Sequence, residues 1–152
     1  MTTPLLEIRD LSTWLFGAEL PVRAVDCVSM TINSGETYAL VGESGCGKSM
    51  TALSVARLLP DNARVCNGSI RLGGTDLLEL AEASMRDIRG RRIGMVFQEP
   101  GTSLNPVLTV GAQISEVIER HTALNGARAR DRCVELLTSV GIPDAPRRLN
   151  EF

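Results

Sequence analysis

GESGCGKS, residues 42–49, decides how this chain is read. It lies between an apolar run, TYALV (37–41), and a stretch of small and apolar residues, MTALSVARLL (50–59). With Glu36 before it, the first run, ETYALV (36–41), ends at Gly42 and reads as a strand buried on both faces; from Lys48 the pattern turns helical until Pro60 stops it. Between them, Gly42, Gly45 and Gly47 allow positive φ and close main-chain approach, so that successive N–H groups converge on an anion. A polyphosphate is heavily hydrated in water, and many short fixed donors replace that hydration better than one long side chain. The N-terminal end of the helix adds its dipole, the Lys48 ammonium reaches the β and γ phosphates, and the Ser49 hydroxyl offers an oxygen to Mg²⁺. The nucleotide-binding set is therefore Gly42, Glu43, Ser44, Gly45, Cys46, Gly47, Lys48, Ser49 and Met50. With ordinary residue usage, a chance match to G-x-x-x-x-G-K-[ST] in a chain of this length occurs at about half a percent. Cys46 occupies a position where a helix N-terminus favours thiolate, and is read as a small residue tolerated in the loop.

Composition narrows the surroundings. The chain has 152 residues, 43% of them apolar, enough for one globular domain. Sixteen basic against eighteen acidic residues give a formal charge of −2, without the basic bias of a nucleic-acid binder. Four scattered cysteines form neither a C-x-x-C pair nor a zinc pattern, which fits a reducing cytoplasm. No stretch reaches the eighteen-odd apolar residues of a membrane span.

Outward from the loop, LLEIRDLSTWLF (5–16) and VRAVDCVSMTI (22–32) read as strands, antiparallel to one another. GSIRLGGTDL (68–77) reads as a hairpin turning at Gly73-Gly74, EASMRDIRG (82–90) as a helix and RRIGMVFQ (91–98) as a further apolar strand. Two helices follow, VGAQISEVIERHTAL (110–124) and ARARDRCVELLTSV (127–140), the second ended by Gly141 and Pro143. The fold class is α/β.

A phosphate loop alone does not separate an ATPase from a small kinase. The order GESGCGKSMTALSVARLLP, GSIRL, MVFQEPGTSLNPVLTVGAQI, preceded by AVDCVSMTINSGET, closely resembles the ATP-binding subunits of ATP-binding-cassette transporters, in the branch importing dipeptides, oligopeptides or nickel. The resemblance covers almost the whole chain and implies a P-loop NTPase core with an N-terminal antiparallel β region (1–97) and the start of a helical subdomain (98–152). It implies ATP and Mg²⁺ as ligands, with Gln98 as the Q-loop amide that senses the metal beside Ser49. It also implies an aromatic against adenine, Phe16 first and Trp14 second. The implied partners are transmembrane permease subunits and a second nucleotide-binding subunit, at the cytoplasmic face of the membrane. Glu99 and Gly101 are minor departures from the family pattern. The signature sequence, the Walker B strand and the switch histidine, which the family places after a stretch like RRLNEF (147–152), are not found in these residues. Alone, the chain is therefore expected to bind nucleotide without hydrolysing it, and to leave strand edges uncovered. The one histidine, His121, is read as a surface residue on a helix. Two alternatives stand beside this reading: a non-catalytic fragment docking on permease subunits, and a small kinase using Arg86, Arg89, Arg91 and Arg92 for an acceptor.

Overall fold

The computed structural model describes residues 4–17, 20–99, 101 and 103–152. They divide into two compact units, 1–85 and 86–152.

The first unit is built on an antiparallel sheet in the order β2-β1-β3-β4, with β1 (Leu6–Leu15), β2 (Val22–Ile32), β3 (Ala63–Leu72) and β4 (Thr75–Asp76). These segments are rich in Val, Ile, Leu and Thr, which suit a pleated, half-buried surface. β3 and β4 join through Gly73 and Gly74, both at positive φ, as a two-residue hairpin turn of this hand requires. Register shifts interrupt the β1–β2 ladder between Ile8 and Trp14, and Asp10 and Cys27 take left-handed φ near +50° there. Ile8, Leu11, Val25, Ile70, Leu72 and Leu77 form the buried side of the unit.

The helix after the phosphate loop, α1 (Lys48–Ala56), packs on this sheet. Its buried face is partly polar: Thr51 and Ser54 are buried beside Ala56. The Ser54 hydroxyl lies 2.7 Å from the Met50 carbonyl and 2.8 Å from Thr13 Oγ1 on β1. Ser54 has one proton to give; with that proton on Met50, Thr13 is the donor between the two hydroxyls. Two buried hydroxyls thus tie helix to sheet. α1 ends at Arg57, in a left-handed conformation with its N–H on Leu53 and Ser54 carbonyls, before Pro60 is reached. Arg57 then donates to the Leu77 and Leu80 carbonyls, fixing the chain leading to α2 (Glu82–Ile88).

Two expected strands are absent. Residues 36–41 and 91–98 form no ladder, Ile93 making only a single bridge to Arg89. Val41 is 93% exposed and Val96 92%. An apolar run becomes a buried parallel strand only when neighbouring strands take its N–H and C=O groups and both faces are covered, and among the described residues no strand does so.

The second unit contains α3 (Val110–His121), α4 (Gly126–Ser139) and a short α5 (Ala145–Arg148) that the sequence pattern did not suggest. Thr109 caps α3 by accepting from the Ala112 N–H at 3.2 Å. Ile118, Ala129, Cys133, Leu137, Ala145 and Leu149 form its core. The chain after α5 returns to α3: the Val110 and Gly111 N–H groups donate to the Glu151 and Leu149 carbonyls. There Arg148 bonds Glu151 at 2.7 Å, which holds the Glu151 carboxyl below its ordinary value. That interaction is present at neutral pH and is lost as acid protonates Glu151. His121, expected at the surface, is half-buried: its ring packs on Gly90, where an added Cβ would lie 2.7 Å from Nε2.

Two substitutions test these seats. Thr13→Val removes the bond to Ser54 while keeping shape, and is expected to cost about 1–2 kcal/mol, read from the urea midpoint. Gly111→Ala would put a Cβ 2.6 Å from the Leu149 carbonyl oxygen; it is expected to speed amide exchange in α5 while leaving α1 protected.

Candidate phosphate-binding site

The phosphate loop is held from both sides. On one side Gly47, at φ +92°, lies against β2, and a Cβ there would sit 2.2 Å from the Ala24 carbonyl oxygen. Main chain meets main chain, so no larger residue fits without moving the loop. On the other side the Lys48 ammonium folds back to the Gly42 carbonyl at 2.8 Å, the Glu43 carbonyl at 2.7 Å and the Cys46 sulfur at 3.4 Å. These bonds close the loop around the lysine.

Gly47 is also the N-cap of α1 and provides no side-chain cap, and the first turn carries no acid. The first N–H groups of the helix therefore have no intrahelical acceptor, and the positive end of its dipole is not neutralised locally. A cavity of about 370 Å³ opens here. One wall is Gly45, Cys46, Gly47, Lys48, Ser49 and Met50; the other is Leu15, Val22, Arg23 and Ala24 from β1 and β2. Among the described residues the lining carries two cations and no carboxylate, which suits a polyanion. Among the described residues no group of three or more His, Cys, Asp or Glu could hold a metal ion. A cation here would have to share ligands between the Ser49 hydroxyl and phosphate oxygens, as Mg²⁺ does in phosphate sites.

The remaining expected residues are distributed as follows. Gly42 and Glu43 face the lysine through their carbonyls, and Ser44 is exposed in the turn before Gly45. Phe16 is half-buried beneath the Arg64 guanidinium, 4.1 Å from the ring centroid, and is not in the cavity lining. Trp14, 6.4 Å from Phe16 between centroids, carries the Arg23 guanidinium 5.1 Å over its ring. Gln98 belongs to the second unit, exposed at an open depression of about 610 Å³ that Phe97, Glu99 and Ser103 also line. Of the arginines weighed for a kinase, two lie together at one cavity. Arg86 and Arg89 line a cavity of about 420 Å³ with Glu116, Val117, Arg120 and His121, and Arg120 is paired with Asp87 at 2.8 Å.

The sequence reading missed the second wall. Leu15, Val22, Arg23 and Ala24 sit in segments recognised only as strands. The β1–β2 ladder pairs Leu15 with Val22 and Trp14 with Arg23, and so brings them beside the loop.

The ABC transporter family profile matches residues 25–152. The chain is 48% identical over 149 residues to the probable peptide ABC transporter ATP-binding protein y4tR of Sinorhizobium fredii, covering 97% of this chain and 44% of that protein. It is 46% identical to the oligopeptide transport ATP-binding protein AppD of Bacillus subtilis, covering 97% and 45%. It thus spans less than half the length of these relatives. Among solved structures, a dimeric post-hydrolysis state of the ATP-binding cassette MJ0796, bound to ADP and Pi, superposes with a TM-score of 0.79. The identity is 24%, over 96% of this chain and 60% of that one, so the likeness concerns the fold. With its phosphate loop seated on a β region and a helical unit following, the chain belongs to the ABC transporter family of ATP-binding cassettes, and the small-kinase alternative is not favoured.

Proposed function

We propose that this chain is the nucleotide-binding portion of an ATP-binding subunit that powers peptide import. The observation that carries the reading is the uncapped start of α1, facing a cavity whose charged side chains, among the described residues, are all cations. The peptide assignment rests on the relatives, whose printed functions are peptide and oligopeptide transport. Among the described residues no helix is long and apolar enough to cross a membrane, and permease subunits at the cytoplasmic face of the membrane are the first proposed partners. A second nucleotide-binding subunit is the other proposed partner.

In this site the main-chain N–H groups of Gly45 to Ser49 receive phosphate oxygens. Lys48 exchanges the Gly42 and Glu43 carbonyls for the terminal phosphates, at little enthalpic cost because one set of charge-assisted bonds replaces another. Ser49 offers its hydroxyl to Mg²⁺, and Gln98 is proposed to add an amide oxygen. Phe16 is proposed to face adenine, with Trp14 as the alternative. In an ATP-binding subunit of this kind, ATP would supply the free energy by phosphoryl transfer to water. Among the described residues none that lines the cavity is a carboxylate or an imidazole able to accept a proton from that water. Residues 1–152 by themselves therefore bind nucleotide and do not turn it over.

Calorimetric titration with MgATP is expected to show binding that Lys48→Ala weakens at least about tenfold, the order of one lost charge-assisted contact. Phosphate release by either protein is expected to stay at background. Release that depends on Lys48 would refute the non-hydrolytic reading, and equal binding by the two proteins would refute the phosphate-loop assignment.

A further inference from the structure

Among the described residues Arg23 is the second charged side chain of the cavity, reaching it from β2, whereas Lys48 reaches it from α1. Its present contacts are weak ones. The guanidinium stands 5.1 Å over the Trp14 ring, and its ion pair with Asp26 is long, 3.4 Å, between side chains that are 60% and 53% exposed. An exposed pair of that length contributes little, and a largely solvated guanidinium over an indole face contributes modestly. Phosphate oxygens in the cavity would offer Arg23 bidentate charge-assisted bonds, which are stronger than either. Lys48, by contrast, is held by two carbonyls of its own loop.

We infer that Arg23 is a second phosphate-binding cation of this site, parked on Trp14 and released to the phosphate chain when a nucleotide enters. The inference rests on the nucleotide reading of the loop and adds to it a residue outside the loop motif. Because the Arg23–Trp14 contact breaks on binding, Trp14 reports the event. It is the one tryptophan of the chain, and its ring Nε1 is buried without a hydrogen-bond partner among the described residues. The number of phosphates then sets how much Arg23 contributes. ATP and ADP draw on it, and adenosine does not.

The test is a set of calorimetric and tryptophan-emission titrations with MgATP, MgADP and adenosine, on the unsubstituted chain, Arg23→Gln, Arg23→Lys and Lys48→Ala. Arg23→Gln is expected to weaken MgATP by about tenfold, to leave adenosine unchanged and to abolish the nucleotide-dependent change in Trp14 emission. Arg23→Lys, which keeps charge without the fork, is expected to fall between. Arg23→Gln binding MgATP as tightly as the unsubstituted chain, while Lys48→Ala does not, would overturn the role of Arg23 alone. An equal loss for adenosine and MgATP would overturn it too, by showing a contact to base or sugar. If Lys48→Ala and the unsubstituted chain bind alike, the phosphate-loop reading itself fails.

Discussion

Gly47 rests against β2 so closely that the Ala24 carbonyl oxygen occupies the space where any Cβ would go, 2.2 Å away. From that contact the rest of the site is set. It fixes the residue that begins α1, and with it the direction in which the first N–H groups of the helix point. It places the loop beside Arg23 and Val22, so that one wall of the cavity is main chain and the other is sheet. The Thr13–Ser54 hydroxyl pair holds the far part of the helix to β1, so the helix is anchored at its cap and along its buried face. Anion binding by a helix terminus depends on orientation, and these two attachments fix the orientation of this one.

The lysine illustrates how such a loop keeps its shape. A long cation in an otherwise open loop has little reason to adopt one position in water. Here two carbonyls and a sulfur hold its ammonium, and the loop closes on it. The same bonds are ones that phosphate oxygens can replace, so what organises the loop does not obstruct its use. Arg23 sits in a different situation, on an indole face and a long ion pair, where solvent competes for it.

The second unit is organised by a separate constraint. Residues 149–151 return to the start of α3 and accept its Val110 and Gly111 N–H groups, so the capping of one helix depends on the end of the chain described here. Cys133, buried in the core of this unit and 3.3 Å from Ser115 Oγ, has the packing role of a small hydrophobe. Of the four cysteines only Cys46 lies at the phosphate cavity, where the loop reading put it.

Local sequence determined the phosphate loop, the β1–β2 strands, the glycine turn of the β3–β4 hairpin and the two longer helices of the second unit. Each follows from rules that act over a few residues: positive φ at glycine, alternation in a strand, a cap before a helix. The apolar runs at 36–41 and 91–98 show the limit of such rules. Their composition is that of buried strands, yet a strand exists only where another takes its hydrogen bonds, and that is a property of the fold. His121 is a similar case, since nothing near it in sequence announces that its ring packs on Gly90. Arg23 could be read as a strand residue and nothing more, because its place at the cavity depends on the β1–β2 ladder and on the seat of Gly47 at Ala24, 23 positions earlier in the chain. The sequence alone determined which groups stand together in the glycine loop; tertiary structure decided which other groups face them, because only packing brings distant segments to one cavity.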